Sequence, residues 1–431
     1  MWNRRDFIAG LGSAAGLSGV AALGGCATAG GSAAPTSARV VVIGGGYAGA
    51  TAAKYIRLLS DQQIDVVLVE PNPQFVSCPI SNLVVGGVRQ LNDITRSYDD
   101  LTRRHGVTRV QDVVTAIDLE RKTVRLARGA PIRYDKLVLS PGVELMFDRV
   151  TGLRDAQAKG QVLQAWKAGP ETVALFEQLE DMRDGGVFAI AIPEAPYRCP
   201  PGPYERASLV AAYLKERKPK SKVLILDANP DVTSKGPLFK KAWNELYGGM
   251  VEYRSQHKAT AVDGATRTLQ FDIQDDVRAD VLNVLPPMRA GALAVQTGLA
   301  NANARWCEVD FLSFESKVVK DVHVLGDSTL AAPAMPKSGH MANGHAKVAA
   351  AAIVAQLQGL SVNPQPVLTN TCYSFVSTTE VIHVASVHQY VAAEQTFKTV
   401  VGSGGVSAAR SEQEAAYAMG WAHNIWADVL G

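Results

Sequence analysis

Residues 39–49 read RVVVIGGGYAG. The first five form a short apolar run typical of a buried parallel strand, and residues 50–59 beyond the glycines have helical composition. In a strand, turn and helix of this kind, Gly44 permits the tight turn, Gly46 lets the backbone approach a pyrophosphate, and Gly49 brings the helix against the strand. The pattern predicts a Rossmann-like unit that binds a dinucleotide.

A carboxylate follows the next predicted strand. Residues 65–69 read DVVLV and are followed by Glu70, about 20 residues beyond the last glycine, where a carboxylate can hold the hydroxyls of a ribose. The alternative is a glycine-rich turn without a ligand. The turn and Glu70 together favour a dinucleotide site.

A second pair of signals lies far downstream. Residues 322–327 read VHVLGD, a strand that ends in Gly326-Asp327, and in flavoproteins with two dinucleotide domains such a pair closes on the ribityl chain of FAD. Residues 335–340 (MPKSGH) lead into a helical run over 344–357. A helix start there would direct its positive end at the flavin pyrimidine, and Lys337 could add charge. The alternative for Lys337 is a solvated lysine at a helix start.

The middle third predicts a second Rossmann-like lobe without a phosphate turn. Strands are expected at 186–192 and 222–227, with a helix at 204–215 between them. Proline has no amide hydrogen, which a phosphate cradle needs. The connection from strand to helix contains Pro193, Pro196, Pro200, Pro201 and Pro203. We therefore expect a lobe that does not bind NAD. Asp227 could still accept a ribose, but without the glycine turn a structural role is favoured.

The N-terminus has the pattern of a twin-arginine export signal. Arg4 and Arg5 precede an apolar stretch made largely of Gly, Ala, Leu and Ser that runs to about residue 25. This stretch has too little Leu, Ile or Phe to hold a bilayer span, and no later segment is long enough, so no transmembrane span is expected. The sequence predicts a periplasmic protein with a cleaved signal. The alternative is a lipid anchor at Cys26.

The net charge argues against a nucleic-acid partner, and the spacing of the cysteines and histidines argues against a metal site or a haem site in this chain. The 43 basic and 41 acidic side chains give a net charge of +2 with no basic run among aromatics, so nucleic acid is not expected. There is no Cys-x-x-Cys or His-x-x-x-His spacing, and His340 and His345 are interpreted as helix-start residues, so no metal site is predicted. There is no Cys-x-x-Cys-His sequence, so a haem c must belong to another chain.

Five short stretches resemble the flavoprotein subunit of flavocytochrome c sulfide dehydrogenase. The likeness covers nearly the whole mature chain. The cysteine spacing makes it specific, since NADH-dependent relatives share only the glycine turn and the Gly-Asp pair. The stretches are SCPISN (77–82), CPPGPYERAS (199–208), LPPMRAG (285–291), MPKSG (335–339) and NTCYS (370–374).

The resemblance implies roles for three cysteines and one glutamate. Cys78 would carry FAD as an 8α thioether, Cys199 and Cys372 would form a redox-active disulfide beside the flavin, and Glu205 would be a candidate base. The alternatives are a small buried residue at Cys78, a disulfide that only joins two lobes, and a salt-bridged helix residue at Glu205. Cys307 has no evident partner and is expected to be a buried thiol.

The predicted fold class is α/β, with two Rossmann-like dinucleotide-binding domains in a glutathione reductase-like arrangement and a C-terminal interface domain. Aromatic residues after about Pro364 suit an interface with a cytochrome or an ordinary core. The expected segments are an export signal and linker (1–35), the first FAD-domain segment (36–150), the second Rossmann-like domain (151–290), the second FAD-domain segment (291–363) and the C-terminal domain (364–431).

The predicted function is an FAD-dependent oxidation of sulfide to polysulfide or sulfur. The electrons would pass to a c-type cytochrome subunit that carries the haem. Two alternatives stay open. One is an NAD(P)H-dependent flavin disulfide reductase or type II NADH dehydrogenase, and the other is a non-catalytic flavoprotein that supports a sulfur-oxidation system.

Overall fold

The strand, turn and helix at the start of the fold take the predicted form in the computed structural model, which describes residues 38–431. Strand β1 (Arg39–Ile43) runs into the glycine turn, helix α1 (Tyr47–Leu59) follows, and strand β2 (Asp65–Val69) pairs in parallel with β1. Helix α1 begins inside the turn, three residues before the expected start at residue 50, so its N-terminus faces the turn.

The rest of the described chain alternates short strands with helices and three short 3-10 segments. Further helices are α2 (Asn82–Val85), α3 (Asp99–Arg103), α4 (Leu153–Ala158), α5 (Pro170–Asp181), α6 (Gly202–Arg217), α7 (Gly236–Tyr247), α8 (Ala292–Gln296), α9 (Gly339–Leu357) and α10 (Glu412–Leu430). Further strands are β3 (Phe75–Val76), β4 (Thr95–Arg96), β5 (Thr108–Val110), β6 (Val114–Asp118), β7 (Thr123–Leu126), β8 (Ile132–Arg133), β9 (Lys136–Leu139), β10 (Val143–Leu145), β11 (Val187–Ile192), β12 (Lys222–Asp227), β13 (Val251–Arg254), β14 (Ala259–Asp263), β15 (Thr268–Phe271), β16 (Val277–Arg278), β17 (Val281–Val284), β18 (Met288–Ala290), β19 (Val309–Asp310), β20 (Glu315–Ser316), β21 (Val322–Val324), β22 (Val367–Phe375), β23 (Val381–Val391), β24 (Thr396–Thr399) and β25 (Gly405–Val406).

The largest sheet has seven strands in the order β19-β20-β21-β9-β1-β2-β5. The strands from β21 to β5 are parallel, and β19 and β20 form an antiparallel edge. Strand β1 lies in its interior, and residues 40–42 of this strand are fully buried, as expected for a parallel strand covered on both faces. Strand β21 comes from far along the chain, so this sheet combines strands from two distant parts of the sequence.

The second lobe contains a four-stranded parallel sheet in the order β13-β12-β11-β17. The strands predicted at 186–192 and 222–227 are β11 and β12, and helix α6 connects them. The fold is therefore the predicted α/β arrangement with two Rossmann-like lobes.

The C-terminal part forms an antiparallel sheet of β22, β23 and β24, with β25 paired to β23, followed by α10. Its residues Ile382 and Trp426 belong to the same hydrophobic core cluster as Val41 of β1 and Ile190 of β11. The described residues form one compact unit. The segment boundaries given above therefore stay predictions.

None of the helices within residues 38–431 combines the length and the apolar character that a membrane span requires. The predicted export signal over residues 1–35 and the alternative anchor at Cys26 lie outside the described residues.

Candidate active site

A cavity of about 630 Å³ lies where the parallel strands of the seven-stranded sheet end. Residues in the connections after β1, β2, β9 and β21 contribute to its wall, together with the starts of helices α6 and α9 and part of β22. In open α/β sheets, ligands bind at the carboxyl ends of the strands. The cavity therefore has the position expected of a dinucleotide site.

The glycine turn has room for a side chain at one of its three predicted positions. Gly44 has a φ of +94°, and a Cβ atom there would lie 2.4 Å from the carbonyl oxygen of Ser140. A Cβ atom at Gly49 would lie 1.8 Å from the carbonyl oxygen of Gly44, so the helix packs directly on the turn. A Cβ atom at Gly46 would meet nothing within 4 Å, because this residue borders the cavity.

Glu70 stands at the end of β2 and borders the cavity. Its Oε2 accepts a hydrogen bond from the Gly45 amide at 2.6 Å, and its Oε1 accepts one from the Asn72 amide at 2.8 Å. A carboxylate oxygen can accept more than one hydrogen bond. Glu70 is therefore fixed against the turn with capacity for a ligand hydroxyl, and the ribose contact stays a prediction.

Asp327 has a buried oxygen without a partner. Its Oδ1 makes no hydrogen bond within the described part of the chain, although Gly326 and Asp327 both line the cavity. Burial raises the pKa of this carboxyl, and the cations of Arg198 and Lys337 oppose that rise. A buried acceptor without a donor is costly. The hydroxyls of a ribityl chain would supply donors, so the cavity, the open side of Gly46 and this oxygen fit FAD.

Lys337 lies behind the wall of this cavity. Its Nζ donates to the carbonyl oxygens of Asp327 and Thr329 and lies 3.7 Å from the centre of the Trp306 ring. Burial lowers the pKa of this lysine to about 8. Lys337 is not among the described residues that border the cavity. Its contribution to the flavin stays a prediction and would act through Asp327.

The cysteines at positions 78, 199 and 372 all line the cavity. They are far apart in the chain, on the segment after β3, the segment before α6 and the middle of β22. The structure records each of them as a free thiol. The predicted disulfide between Cys199 and Cys372 is thus not formed in it, and this pairing stays a prediction, as does the thioether at Cys78.

The local backbone holds Cys199 in an unusual position. Its φ of +58° is left-handed, and its amide donates a hydrogen bond to the Lys337 carbonyl oxygen at 2.8 Å. A Cβ atom at Gly202 would lie 2.9 Å from Cys199 Sγ. The glycine at this position therefore leaves room for the sulfur beside the first turn of α6.

Glu205 is a buried carboxylate on the first turn of α6. It is 9% exposed, its Oε2 accepts from Asn82 Nδ2 at 2.8 Å, and its Oε1 accepts from the Phe375 amide at 2.9 Å. Burial raises the pKa of Glu205, while these two hydrogen bonds act against the rise. The salt-bridge alternative is not what the structure shows, because no ion pair within residues 38–431 includes Glu205 under a 4.0 Å limit. A catalytic role as a base stays a prediction.

Two arginines complete the charge pattern around the cysteines. Arg206 is fully buried and donates to Asn82 Oδ1, to Asn283 Oδ1 and to two backbone carbonyls. Arg198 borders the cavity. Burial lowers the pKa of Arg198, but nearby Cys78 and Asp327 reverse this and raise it overall. Arg206 therefore contacts Asn82 of the motif that contains Cys78, and Arg198 lies near Cys78 and Asp327.

In the second lobe, the carboxylate at the end of β12 is already occupied by protein groups. Asp227 is fully buried. Its Oδ2 accepts from the hydroxyls of Tyr204 at 2.6 Å and Tyr253 at 3.1 Å, and its Oδ1 accepts from the Asn229 amide at 2.9 Å. These contacts hold the lobe together, and they leave Asp227 inaccessible to a ribose.

The remaining cysteine and histidines have structural surroundings. Cys307 is fully buried, and burial raises the pKa of its thiol to about 12. His340 lines the cavity and accepts a hydrogen bond from the Thr371 amide, whereas His345 is buried against the Phe314 ring. Within residues 38–431, no group of three or more His, Cys, Asp or Glu residues is placed to hold a metal ion.

The aromatic residues near the C-terminus divide between core, cavity and surface. Phe375 and Trp426 are buried, Tyr373 and Trp421 border the cavity, and Tyr417 is 55% exposed. The core alternative therefore applies to Phe375 and Trp426, and an interface with a cytochrome stays a prediction.

Four charged or polar residues of the site have no role in the predictions from the sequence. Asn82, Arg198 and Arg206 lie in or directly beside the quoted cysteine motifs, and this proximity is a signal that could have indicated them. Lys235 lies between β12 and α7, about 30 residues from the nearest motif, and nothing in its local sequence indicates that its side chain reaches β22.

Three family profiles match the chain in succession. Residues 38–169 match pyridine nucleotide-disulphide oxidoreductase. Residues 172–286 match the central domain of the sulfide dehydrogenase (flavocytochrome c) flavoprotein chain. Residues 364–430 match the flavin-binding domain of flavocytochrome c sulphide dehydrogenase.

Individual relatives agree with these profiles. The chain is 61% identical over 46 residues to the sulfide dehydrogenase (flavocytochrome c) flavoprotein chain of Chlorobaculum thiosulfatiphilum, which is 11% of this chain and 94% of that sequence. It is 27% identical over 299 residues to the mitochondrial sulfide:quinone oxidoreductase of Dictyostelium discoideum, which is 68% of this chain and 65% of the relative. A similar match to the mouse protein also covers 65% of its length.

The solved structures show the same fold. The sulfide:quinone oxidoreductase of Aquifex aeolicus superposes with a TM-score of 0.76 at 17% identity, over 91% of each chain. A NAD-dependent persulfide reductase from A. fulgidus superposes with a TM-score of 0.64, over 90% of this chain and 77% of that one.

Proposed function

Because the chain belongs to the family of flavoprotein chains of flavocytochrome c sulfide dehydrogenase, we propose that it oxidises sulfide and passes the electrons to a c-type cytochrome. The observation that carries this proposal is the convergence of Cys78, Cys199 and Cys372 on one cavity. The same cavity has the glycine turn and Asp327 on its wall. The residues proposed for sulfur chemistry and those proposed for dinucleotide binding thus line the same cavity.

The residues that would hold FAD are distributed around the cavity. Glu70 would accept a ribose hydroxyl, Asp327 would accept from the ribityl chain, and Cys78 would form the thioether. When bound, FAD supplies the capacity to accept an electron pair and to release electrons singly. The N-terminus of α9, which begins at Gly339 on the cavity wall, adds a positive dipole end that favours negative charge.

The sulfur step uses the proposed bridge between Cys199 and Cys372. Hydrosulfide attacks one sulfur of the bridge, and the products are a persulfide on that cysteine and a thiolate on the other. A second hydrosulfide then attacks the outer sulfur and leaves with it as a hydrodisulfide, the first member of the polysulfide series, while the cysteine is released as a thiolate. The two thiolates would return to the bridge by giving up an electron pair, which bound FAD would accept. Glu205 is close enough to the pair to influence the pKa of both thiols, and as a carboxylate it would accept a proton during this sequence.

The prolines after β11 and the contacts of Asp227 in the second lobe support an electron donor other than NADH. A dinucleotide site in this lobe would need backbone amides at the turn after β11, where four prolines stand and a fifth, Pro203, lies in the first turn of α6. It would also need a free carboxylate after β12, but Asp227 is held by Tyr204, Tyr253 and Asn229. These contacts weigh against the NAD(P)H-dependent alternatives.

The chain needs a partner as outlet for single electrons. Its sequence contains no haem attachment site of the type Cys-x-x-Cys-His. We therefore include in the proposal a separate c-type cytochrome subunit and, from Arg4 and Arg5 of the N-terminal signal, an export to the periplasm by the twin-arginine route. The two proposals are consistent, because c-type cytochromes and the protein would meet in the same compartment.

The test is a steady-state assay of the flavin-loaded full chain with sulfide as donor. Reduction of an added c-type cytochrome is followed at its haem band and is compared with reduction of a soluble quinone and with the same assays driven by NADH. The proposal predicts sulfide-dependent reduction of the cytochrome that is lost in Cys199→Ser and in Cys372→Ser. Preference for the quinone would assign a different acceptor, and activity with NADH alone would overturn the proposal.

A further inference from the structure

Lys235 is a buried lysine whose ammonium contacts the strand that carries Cys372. It is 6% exposed. Its Nζ donates to the Cys372 carbonyl oxygen at 2.9 Å, to Ser374 Oγ at 2.8 Å and, more weakly, to the Ile382 carbonyl oxygen at 3.4 Å. The side chain thus joins the start of α7 to β22 and fixes the position of the Cys372 peptide.

The charge of Lys235 is not neutralised by an ion pair. Within residues 38–431, no carboxylate oxygen lies within 4.0 Å of its Nζ. The ionisable groups that face it are Cys372 on β22, Glu205 on α6, Cys199 before α6 and Glu414 on α10. Burial lowers the pKa of Lys235 to about 8, and these four groups act against that effect. A buried ammonium without an ion-pair partner is costly, and such groups concentrate at functional sites.

The two cysteines of the proposed bridge differ in their surroundings. Burial raises the pKa of both thiols. At Cys372 the next largest influence on the pKa is Lys235, which lowers it. The side-chain Nδ2 of Asn370 also lies 3.5 Å from the Cys372 sulfur. At Cys199 the next influences are Cys372 and Glu205, which both add to the effect of burial, while Arg198 and Lys235 rank below them and act against it. Glu205 also adds to the effect of burial at Cys372, but there it ranks below Lys235. Negative charge is therefore better accommodated on the sulfur of Cys372.

We propose that Lys235 is a positioning residue that stabilises negative charge on the Cys372 sulfur, so that hydrosulfide attacks Cys199 and Cys372 leaves as the thiolate. This inference rests on the proposed function and specifies which sulfur of the bridge carries the substrate atom. In thiol–disulfide exchange, the sulfur whose thiolate is better stabilised is the better leaving group.

The step is balanced in atoms and electrons. A new bond forms between the hydrosulfide sulfur and Cys199 Sγ, and the bond between Cys199 Sγ and Cys372 Sγ breaks. The electron pair of the broken bond stays on Cys372 Sγ. The hydrosulfide proton remains on the outer sulfur of the Cys199 persulfide, from which the Glu205 carboxylate can take it.

The experiment measures the thiolate of each cysteine without sulfide. In flavin-loaded Cys199→Ser, the rate of alkylation of Cys372 is followed against pH by mass spectrometry of its peptide, and Cys199 is followed in the same way in Cys372→Ser. Each measurement is repeated with Lys235→Gln, which keeps hydrogen-bond donors, and with Lys235→Arg, which keeps the charge. Ser374→Ala is the packing control, because it alters the same cluster and retains the ammonium.

The proposal predicts that Lys235→Gln slows alkylation of Cys372 near neutral pH by about tenfold, which corresponds to one unit in its pKa. With Lys235→Arg or Ser374→Ala, the rate of alkylation of Cys372 should stay close to that of the parent chain. An equal loss at Cys199, or equal behaviour of the Gln and Arg variants, would overturn the proposal. If Lys235→Gln does not fold, the comparison of Cys199→Ser with Cys372→Ser still tests the proposal. The proposal requires that Cys372 is alkylated at a lower pH than Cys199, and the opposite order would overturn it. If sulfide does not reduce the flavin of the wild-type protein, that result contradicts the proposed function and not the role of Lys235.

Discussion

Asn82 Nδ2 donates a hydrogen bond to Glu205 Oε2 at 2.8 Å, and this contact joins the segment that carries Cys78 to the helix that follows Cys199. The other oxygen of Glu205 accepts from the Phe375 amide at the end of β22, the strand of Cys372. The three cysteine-bearing segments thus converge on one carboxylate. Glu205 has a structural role as well as the proposed role as a base, and the two can be separated by experiment.

Replacement of Asn82 by alanine should destabilise the protein. Asn82 also accepts from Arg206 Nε at 3.0 Å, so Asn82→Ala leaves a buried carboxylate oxygen and a buried guanidinium nitrogen without their partner. Each unsatisfied buried group costs about 1–3 kcal/mol, and we expect a decrease of that order in the free energy of unfolding. Urea denaturation measures it.

The matched control for this change is Asn92→Ala. Asn92 is exposed, and substitutions at such positions change stability by roughly 0.5 kcal/mol or less. If the two variants unfold at the same urea concentration, the network around Glu205 does not contribute to stability as described.

The change Glu205→Gln tests the role as a base. The amide keeps an oxygen acceptor but cannot take a proton, and loss of a general base slows a step by about 10²–10⁴-fold. Because burial raises the pKa of Glu205, the active carboxylate is lost as the pH falls through a value above the ordinary carboxyl range. The advantage of the wild type should therefore shrink on the acidic side.

The measurement is the rate of anaerobic flavin reduction by sulfide from pH 5 to pH 9 in both proteins. The ratio of the two rates removes the titration of sulfide itself. A ratio that does not change with pH would mean that Glu205 acts only through its hydrogen bonds to Asn82 and Phe375.

The change Cys78→Ser tests the covalent link. In the wild type, we expect flavin fluorescence to stay with the chain after denaturation and gel separation, whereas in Cys78→Ser the flavin should be released. The folded variant should still contain flavin, because Glu70, Asp327 and the glycine turn are unchanged. Flavin that stays with the denatured variant would exclude Cys78 as the attachment site.

Asp327→Ala should weaken flavin binding, and the effect is best measured in the Cys78→Ser background, where no covalent link can mask it. A hydrogen bond to a charged group contributes about 1.5–3 kcal/mol, so the dissociation constant should rise roughly ten- to hundredfold. Equilibrium titration of the apoprotein with FAD measures the change. Asp275→Ala, at an exposed position, is the control, and equal affinities would remove Asp327 from the cofactor site.

The sequence predicts the parts of this protein that depend on local patterns. The apolar run of β1, the glycine turn and the Gly326-Asp327 pair each have a local physical requirement, and the structure has the run buried in the sheet and the turn and the pair at the cavity. The cysteines were found through motifs, since no periodicity indicates that β22 would reach α6. Lys235 and the contacts of Asn82 with Glu205 could not be predicted, because they depend on tertiary packing between segments more than 100 residues apart.

The most direct test of the account is the anaerobic visible spectrum of the purified flavin-loaded chain, recorded after one equivalent of sulfide and, separately, after one equivalent of NADH. We predict that sulfide bleaches the flavin band, that NADH does not, and that neither reagent bleaches it in Cys199→Ser. Bleaching by NADH alone would contradict both the proposed donor and the interpretation of the second lobe.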